Sequence, residues 1–124
     1  MTSILVVDDD PALCRAVAET LNKAGYETSM VNGGREDLRQ LQDEPADVVV
    51  TDLFMPEVDG MEVISMLRRV SPSTCIVAMS GYENNENIDY LQAAKSFGAK
   101  SILRKPFRAA ELLRAVAICS PEDI

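Results

Sequence analysis

Five short apolar runs occur along the chain, separated by more polar segments. They cover residues 4–7, 28–31, 48–50, 75–79 and 102–103. The first, third and fourth runs are continuous and rich in β-branched residues, rather than alternating between apolar and polar positions. Such continuity is typical of strands that are buried on both faces of a parallel sheet. The pattern therefore predicts five strands, three of them buried on both faces.

Apolar residues recur at helical spacing after each of these runs. Asp10 and Pro11 supply an N-cap and a first-turn proline for the first helix, and Gly25 and Gly98 are suitable C-terminal stops. Strand and helix thus alternate five times, which predicts an α/β fold with a doubly wound five-stranded parallel sheet flanked by five helices. The helical positions are Leu13, Val17, Leu21 and Ala24; Leu38 and Leu41; Val63, Ile64, Leu67 and Val70; Ile88, Leu91, Ala94 and Lys95; and Leu112, Leu113 and Val116.

Length and composition limit the architecture and the partners. A chain of 124 residues has the size of one domain, so we expect residues 1–124 to form a single unit. Its residues are 47% hydrophobic but only 5% aromatic, which predicts an aliphatic core. A formal net charge of −8 repels nucleic-acid phosphates and acidic membrane surfaces. We therefore expect no direct nucleic-acid binding and no membrane association.

The cysteines and the absence of histidine concern compartment and chemistry. Cys14, Cys75 and Cys119 lie far apart and are odd in number, so we expect no disulfide framework and no metal-ligand set. Cys14 and Cys75 lie in apolar patterns and are expected in the core. These features, without a leader or an apolar run of membrane-spanning length, predict a reducing, cytoplasmic location. Because the chain has no histidine, catalytic triads and histidine metal sites are excluded.

Chemically reactive side chains follow four of the five predicted strands. Asp8 and Asp9 follow the first strand, Asp52 the third, Ser80 the fourth and Lys105 the fifth. The carboxyl ends of parallel strands meet at one edge of a sheet, where ligands bind. We therefore expect three carboxylates, one hydroxyl and one ammonium group to converge there. Taken singly, each residue could be a cap, a turn former or a solvated surface residue, but their conjunction favours a functional site.

Three neighbouring carboxylates require compensation. Each close pair at 4 Å costs about 4 kcal/mol at an effective dielectric constant near 20. Mg²⁺ binds hard oxygen ligands and commonly takes one or two carboxylates together with a phosphate oxygen. A carboxylate can also act as a nucleophile that forms an aspartyl phosphate. The pattern therefore predicts a Mg²⁺ site that supports phosphoryl transfer.

Four motifs in the chain match one family in order and spacing. They are LVVDDD at residues 5–10, DLFMP at 52–56 with DG at 59–60, SGY at 80–82 and KPF at 105–107. Over nearly its whole length the chain resembles the receiver domain of bacterial two-component response regulators, which has a flavodoxin-like fold of the CheY type. The resemblance implies a phosphorelay switch that supports its own phosphorylation and slow autodephosphorylation, not an enzyme with an external substrate. We expect a single-domain regulator, with a piece cut from a longer protein as the alternative.

The resemblance also implies a role for each motif residue. Asp9 and Asp52 would bind Mg²⁺ directly, together with the backbone carbonyl of Phe54, and Asp8 would act through a metal-bound water. Asp52 would be the phosphoacceptor. No organic cofactor is implied.

The remaining motif residues would respond to the phosphoryl group. Ser80 and Lys105 would contact it, and a cis peptide bond is expected between Lys105 and Pro106. One departure concerns Ile102, which lies where the family usually has a switch aromatic residue, so that the usual coupling picture does not transfer directly.

The partners implied by the resemblance are proteins. A sensor histidine kinase or a histidine phosphotransfer protein would supply the phosphoryl group. A downstream protein would read the surface formed by the fourth helix, fifth strand and fifth helix, which carries Tyr90, Lys95, Arg104 and Arg108.

Two other functions remain open from the sequence. An aspartyl-phosphate phosphatase of the haloacid dehalogenase type would use Asp8 as its nucleophile, because residues 8–10 satisfy an Asp-x-Asp pattern. However, Ala12 replaces the usual Thr or Val, and the chain is short for such a hydrolase. A phosphorylation-independent interaction module is the second alternative, although the complete acidic set disfavours it.

Overall fold

The central element of the fold is a five-stranded parallel sheet. In the computed structural model, residues 2–31, 39, 41–55, 58–81 and 87–119 are described. The strands are β1 (Ser3–Val7), β2 (Glu27–Val31), β3 (Val48–Asp52), β4 (Phe54–Met55), β5 (Val58–Asp59), β6 (Cys75–Ser80) and β7 (Ala99–Arg104). The sheet order is β2-β1-β3-β6-β7, so the sheet is doubly wound, as the alternation of strands and helices predicted.

Helices follow the strands as predicted. Residues 39 and 41–43 are the described part of a helical segment, α2, and Leu38 of its predicted pattern lies outside the described residues. The other helices are α1 (Pro11–Lys23), α3 (Gly60–Val70), α4 (Asn87–Phe97) and α5 (Ala109–Cys119).

Local sequence signals account for the helix ends. The Asp10 side chain accepts hydrogen bonds from the backbone N–H groups of Ala12 and Leu13, as an N-cap does. Gly98 follows α4 with a φ of +131°, which a residue with a Cβ rarely adopts, and the Arg68 side chain occupies the space where that Cβ would lie. The predicted glycine stop is therefore confirmed.

The core consists of two aliphatic layers, one on each face of the sheet. Val49 is completely buried in the layer that packs against α3 and α4, and its neighbour Val50 is completely buried in the layer under α1 and α5. Successive side chains of a strand point to opposite faces, so a central strand covered on both sides must be apolar at every position. This explains why β3 forms a continuous apolar run.

Two backbone features complete the edge at which the strands end. A short antiparallel ribbon pairs β4 with β5, with Phe54 opposite Asp59, where the sequence pattern predicted no strand. The peptide bond between Lys105 and Pro106 is cis, as expected. Among the described residues, no helix is long and apolar enough to cross a membrane.

The expectation of unpaired cysteines was wrong. Cys75 and Cys119 form a disulfide bond across 44 positions of sequence, whereas Cys14 is free and buried. Helices in a βα unit run antiparallel to the strands, so the end of α5 returns to the edge at which β6 begins. Linear spacing alone did not indicate this proximity. The cysteines therefore do not indicate a reducing compartment.

Candidate metal centre

Three carboxylates meet at the carboxyl edge of the sheet. β1 and β3 are neighbouring strands, with Val7 paired with Thr51, so the residues that follow in each strand come side by side. One carboxylate oxygen from each of Asp8, Asp9 and Asp52 lies within 4.8 Å of the other two. The predicted convergence of these three side chains is confirmed.

The three carboxylates differ in their exposure. Asp8 and Asp52 are 1% and 4% exposed, whereas Asp9 faces solvent. Asp8 is also tied to the backbone, because its Oδ1 accepts a hydrogen bond of 2.8 Å from the Asp10 N–H. Burial of two like charges is unfavourable unless a cation or hydrogen bonds compensate them.

Lys105 supplies part of that compensation. Its Nζ lies 3.1 Å from Asp8 Oδ2 and 3.5 Å from Asp52 Oδ2. Burial alone would lower the pKa of Lys105, but the charges of Asp52 and Asp8 raise it by more, so the pKa lies above its usual value. The ammonium group is therefore firmly protonated at neutral pH and bridges the two buried carboxylates.

Ser80 lies at the same edge, on the strand next to Asp52. Asp52 pairs with Met79 across β3 and β6, and Ser80 is the following residue. Its side chain is fully buried, and its hydroxyl donates a 3.3 Å hydrogen bond to the Gly81 carbonyl. The Ser80 carbonyl accepts a 2.7 Å hydrogen bond from the Lys105 N–H, which connects the two motifs through the backbone.

The other predicted residues are only partly described. Phe54 lies on β4, but its side chain and that of Tyr90 are outside the described set, as is all of Tyr82. Ile102 is half-buried on β7 and packs against the core beneath α3 and α4.

The donor set fits a divalent cation. Three carboxylates against one ammonium leave a formal excess of two negative charges, which one divalent ion neutralises. Oxygen donors only, one of them solvent-exposed, suit a hard cation that retains part of its water shell, as Mg²⁺ does. The acidic cluster can therefore bind a metal of this kind.

Comparison with known proteins identifies the family. The family model for the response regulator receiver domain matches residues 4–117. The chain belongs to the response regulator receiver domain family. Receiver domains are signalling switches of two-component systems, so the resemblance of the four motifs is confirmed.

Individual relatives support this assignment along the whole receiver domain. The response regulator receiver protein CpdR of Brucella abortus is 30% identical in an alignment of 119 positions that covers 94% of each chain. The structure of the chemotaxis protein CheY4 of Vibrio cholerae matches with a TM-score of 0.82 and 33% identity over 94% of this chain and 97% of that one. The beryllofluoride-activated NtrC4 receiver domain dimer matches with a TM-score of 0.88 and 26% identity, over 98% of each chain.

Many relatives are longer proteins. This receiver domain spans about a quarter to a half of the length of the curated transcriptional regulators that it matches, for example 25% of GlrR of Escherichia coli and 48% of KdpE of Mycobacterium tuberculosis.

Proposed function

We propose that this receiver domain accepts a phosphoryl group on Asp52, with Mg²⁺ bound at the acidic cluster. The donor would be the phosphohistidine of a sensor histidine kinase or of a histidine phosphotransfer protein. The observation that carries the proposal is the placement of buried Asp52 within 4.8 Å of two further carboxylates and 3.5 Å from an ammonium group. A nucleophilic carboxylate, a cation site and a fixed positive charge are the parts that phosphoryl transfer to an aspartate needs.

The contacts of Asp8 bear on the alternative nucleophile. Both oxygens of Asp8 already accept hydrogen bonds, Oδ1 from the Asp10 N–H and Oδ2 from Lys105 Nζ. This arrangement suits a positioning group that acts toward the metal through water. It disfavours the haloacid dehalogenase alternative, in which Asp8 itself would attack phosphorus.

The proposed transfer is a single displacement at phosphorus. An Asp52 carboxylate oxygen forms a bond to the phosphorus atom while the bond to the donor imidazole nitrogen breaks, and the electron pair of that bond returns to the nitrogen. Asp9, Asp52 and the Phe54 carbonyl would hold the Mg²⁺, which neutralises charge on the transferred group. Lys105, already beside Asp52, would pair with a phosphoryl oxygen.

Ser80 would connect the phosphoryl group to the conformational change. Its hydroxyl donates to the Gly81 carbonyl at 3.3 Å, a long hydrogen bond that a charged phosphoryl oxygen can replace with a stronger one. A change of Ser80 rotamer toward the site would bias a pre-existing equilibrium between two packings of the domain.

The proposed output surface consists of α4, β7 and α5. Lys95, Arg104 and Arg108 are exposed there. We propose that a downstream protein binds this surface in the cytoplasm, where receiver domains meet their kinases. We further propose that the receiver domain itself makes no direct contact with nucleic acid or membranes, because its net charge of −8 repels both.

Intact mass spectrometry after incubation with Mg²⁺ and acetyl phosphate tests the assignment. The wild type should gain one phosphoryl group, and Asp52→Asn should gain none. Asp10→Asn is the matched control, because it changes the third acid of the same run while asparagine remains a good N-cap. This control should be phosphorylated like the wild type.

The other outcomes would identify the alternatives. Continuous phosphate release that requires Asp8 and survives Asp52→Asn would support the phosphatase. No adduct with acetyl phosphate or beryllofluoride, although the protein is folded, would support the interaction module.

A further inference from the structure

A disulfide bond joins the two ends of the chain's last βαβα segment. Cys75 is the first residue of β6 and Cys119 is the last residue of α5, and their sulfur atoms are 2.05 Å apart. Both residues are only half-buried, in contrast to the completely enclosed core around them. Small thiols in solution can therefore approach this bond more easily than they could approach one in the core.

The bond lies far from the metal centre. Cys75 and Ser80 are at opposite ends of β6, five residues apart, which is roughly 17 Å at the usual rise per strand residue. The loop that carries Lys105 precedes α5, whereas Cys119 ends this helix. Opening the bond would therefore leave the acidic cluster unchanged.

The disulfide bond holds the C-terminal end of α5 against the sheet. One turn before its end, the helix is attached to β7 by a hydrogen bond of 3.2 Å from Ser101 Oγ to the Ala115 carbonyl. The next attachment is Cys119 itself. Without the disulfide, the last turn after Ala115 would be held mainly by the packing of Val116, which is fully buried.

This last turn contributes to the surface of α5 and β7. Ile118 is 56% exposed and lines a shallow cavity of about 320 Å³ together with Ile102, Leu103 and Ala115. Movement of the turn would change the shape of this cavity. The oxidation state of the two cysteines therefore affects the exposed surface of α5 and β7 as well as the core.

We propose that Cys75 and Cys119 form a reversible thiol–disulfide site that fixes or releases the last turn of α5. In the cytoplasm, the compartment that we propose for this domain, protein disulfides are usually transient and redox-sensing. This inference takes only the cytoplasmic location from the proposed function and does not depend on phosphorylation of Asp52.

The oxidant would be a small-molecule disulfide such as oxidised glutathione. One cysteine thiolate attacks this disulfide, forming a mixed disulfide and releasing one small thiolate. The second cysteine thiolate then attacks the protein sulfur of the mixed disulfide, closes the bond and releases the second small thiolate. The two protein thiols lose two electrons, the small disulfide gains them, and the two protons pass to the released thiolates.

The third cysteine is a suitable control. Cys14 is buried, and its pKa is raised mainly by burial and further by the charge of Asp8. It should therefore remain a thiol throughout. Cys14→Ala should titrate like the wild type.

A redox titration of the full chain tests reversibility. The protein is equilibrated in buffers from fully reduced to fully oxidised glutathione, alkylated and weighed as intact protein. We expect two thiols to convert together, with the midpoint inside the glutathione range, in the wild type and in Cys14→Ala. A bond that remains closed in fully reduced glutathione would overturn the proposal as a permanent structural disulfide. Failure to close in oxidised glutathione would overturn it as well.

Hydrogen exchange tests the consequence for α5. In reduced wild type and in Cys119→Ser, amides of residues 116–119 should exchange at least tenfold faster than in the oxidised protein, through a local opening that low urea does not accelerate. Amides of β3 exchange by global unfolding and should follow only the overall loss of stability. Equal exchange in both states would overturn the release of the helix end. Phosphorylation by acetyl phosphate should stay within twofold of wild type, so failure of this proposal and failure of the Asp52 assignment can be distinguished.

Discussion

The two edges of the same sheet satisfy their polar groups in different ways. At the carboxyl edge, Asp8 and Asp52 are buried and share the ammonium group of Lys105. At the amino edge, the exposed carboxylate of Asp47 accepts a 2.9 Å hydrogen bond from the Ser3 N–H and lies outside the core. The first edge therefore holds its charges in a buried cluster that a ligand can neutralise, whereas the second exposes its carboxylate to solvent.

The amino edge is further held by neutral and covalent contacts. Thr74 Oγ1 donates a 2.7 Å hydrogen bond to the Ala46 carbonyl, and the N–H of Cys75 donates one of 2.9 Å to the Asp47 carbonyl. The disulfide lies beside them. The sheet therefore separates two tasks. Its amino edge carries stabilising contacts, and its carboxyl edge tolerates unfavourable charge that serves the chemistry.

The largest change in unfolding free energy is expected from removing the disulfide at the amino edge. The double variant Cys75→Ser/Cys119→Ser should lose about 4 kcal/mol of unfolding free energy, because closing a loop of this length restricts the unfolded chain by about that amount. Urea denaturation of the oxidised proteins measures the loss. A loss of unfolding free energy smaller than about 1 kcal/mol would show that the stability of the amino edge does not depend on the bond.

At the other edge, Lys105→Met should destabilise the metal-free protein. Removal of one partner leaves the buried carboxylates without their cation, which costs about 3 kcal/mol for buried ion pairs. Added Mg²⁺ should recover part of that loss, since a divalent ion replaces the missing positive charge. Urea denaturation with and without Mg²⁺ measures both quantities, and a variant as stable as wild type without Mg²⁺ would show that the ion pairs contribute little.

A smaller effect is expected from Thr74→Val at the amino edge. This nearly isosteric change leaves the Ala46 carbonyl without its donor, at a cost of about 1–2 kcal/mol. Phosphorylation by acetyl phosphate should not change, because the hydroxyl belongs to the stabilising edge. An altered phosphorylation rate in this variant would contradict the separation of tasks.

The smallest change in stability is expected from Asp10, the N-cap of α1 that follows Asp8 and Asp9. Asp10→Ala should lose about 1 kcal/mol, because the N–H groups of Ala12 and Leu13 lose their acceptor, whereas Asp10→Asn should lose only a few tenths. Thermal unfolding of the two variants provides the comparison. Equal losses in both would mean that the charge of Asp10, rather than its capping oxygen, is what matters.

Much of the fold could be predicted because its determinants are local. The continuous apolar run of β3 indicates burial on both faces, and Asp10 and Gly98 mark helix ends through capping and backbone conformation. The acidic cluster was also predictable, because parallel topology alone brings Asp8 and Asp52 to one edge.

Other features could not be derived from the same signals. The β4–β5 ribbon consists of two pairs of residues, too short to show a period of its own. The Cys75–Cys119 bond depends on the place to which α5 returns, so counting cysteines along the chain gave the wrong expectation.

The most direct test of the central claim is the thermal unfolding of wild type and Asp52→Asn, each with and without Mg²⁺. Without metal, Asp52→Asn should unfold a few degrees higher, because the relief of repulsion from Asp8 and Asp9 exceeds the lost attraction to Lys105 by about 1 kcal/mol. Mg²⁺ should raise the unfolding temperature of the wild type and have little effect on the variant. A wild type that does not respond to Mg²⁺, together with a variant less stable than wild type, would contradict the account of an edge that keeps its excess charge for a metal and a phosphoryl group.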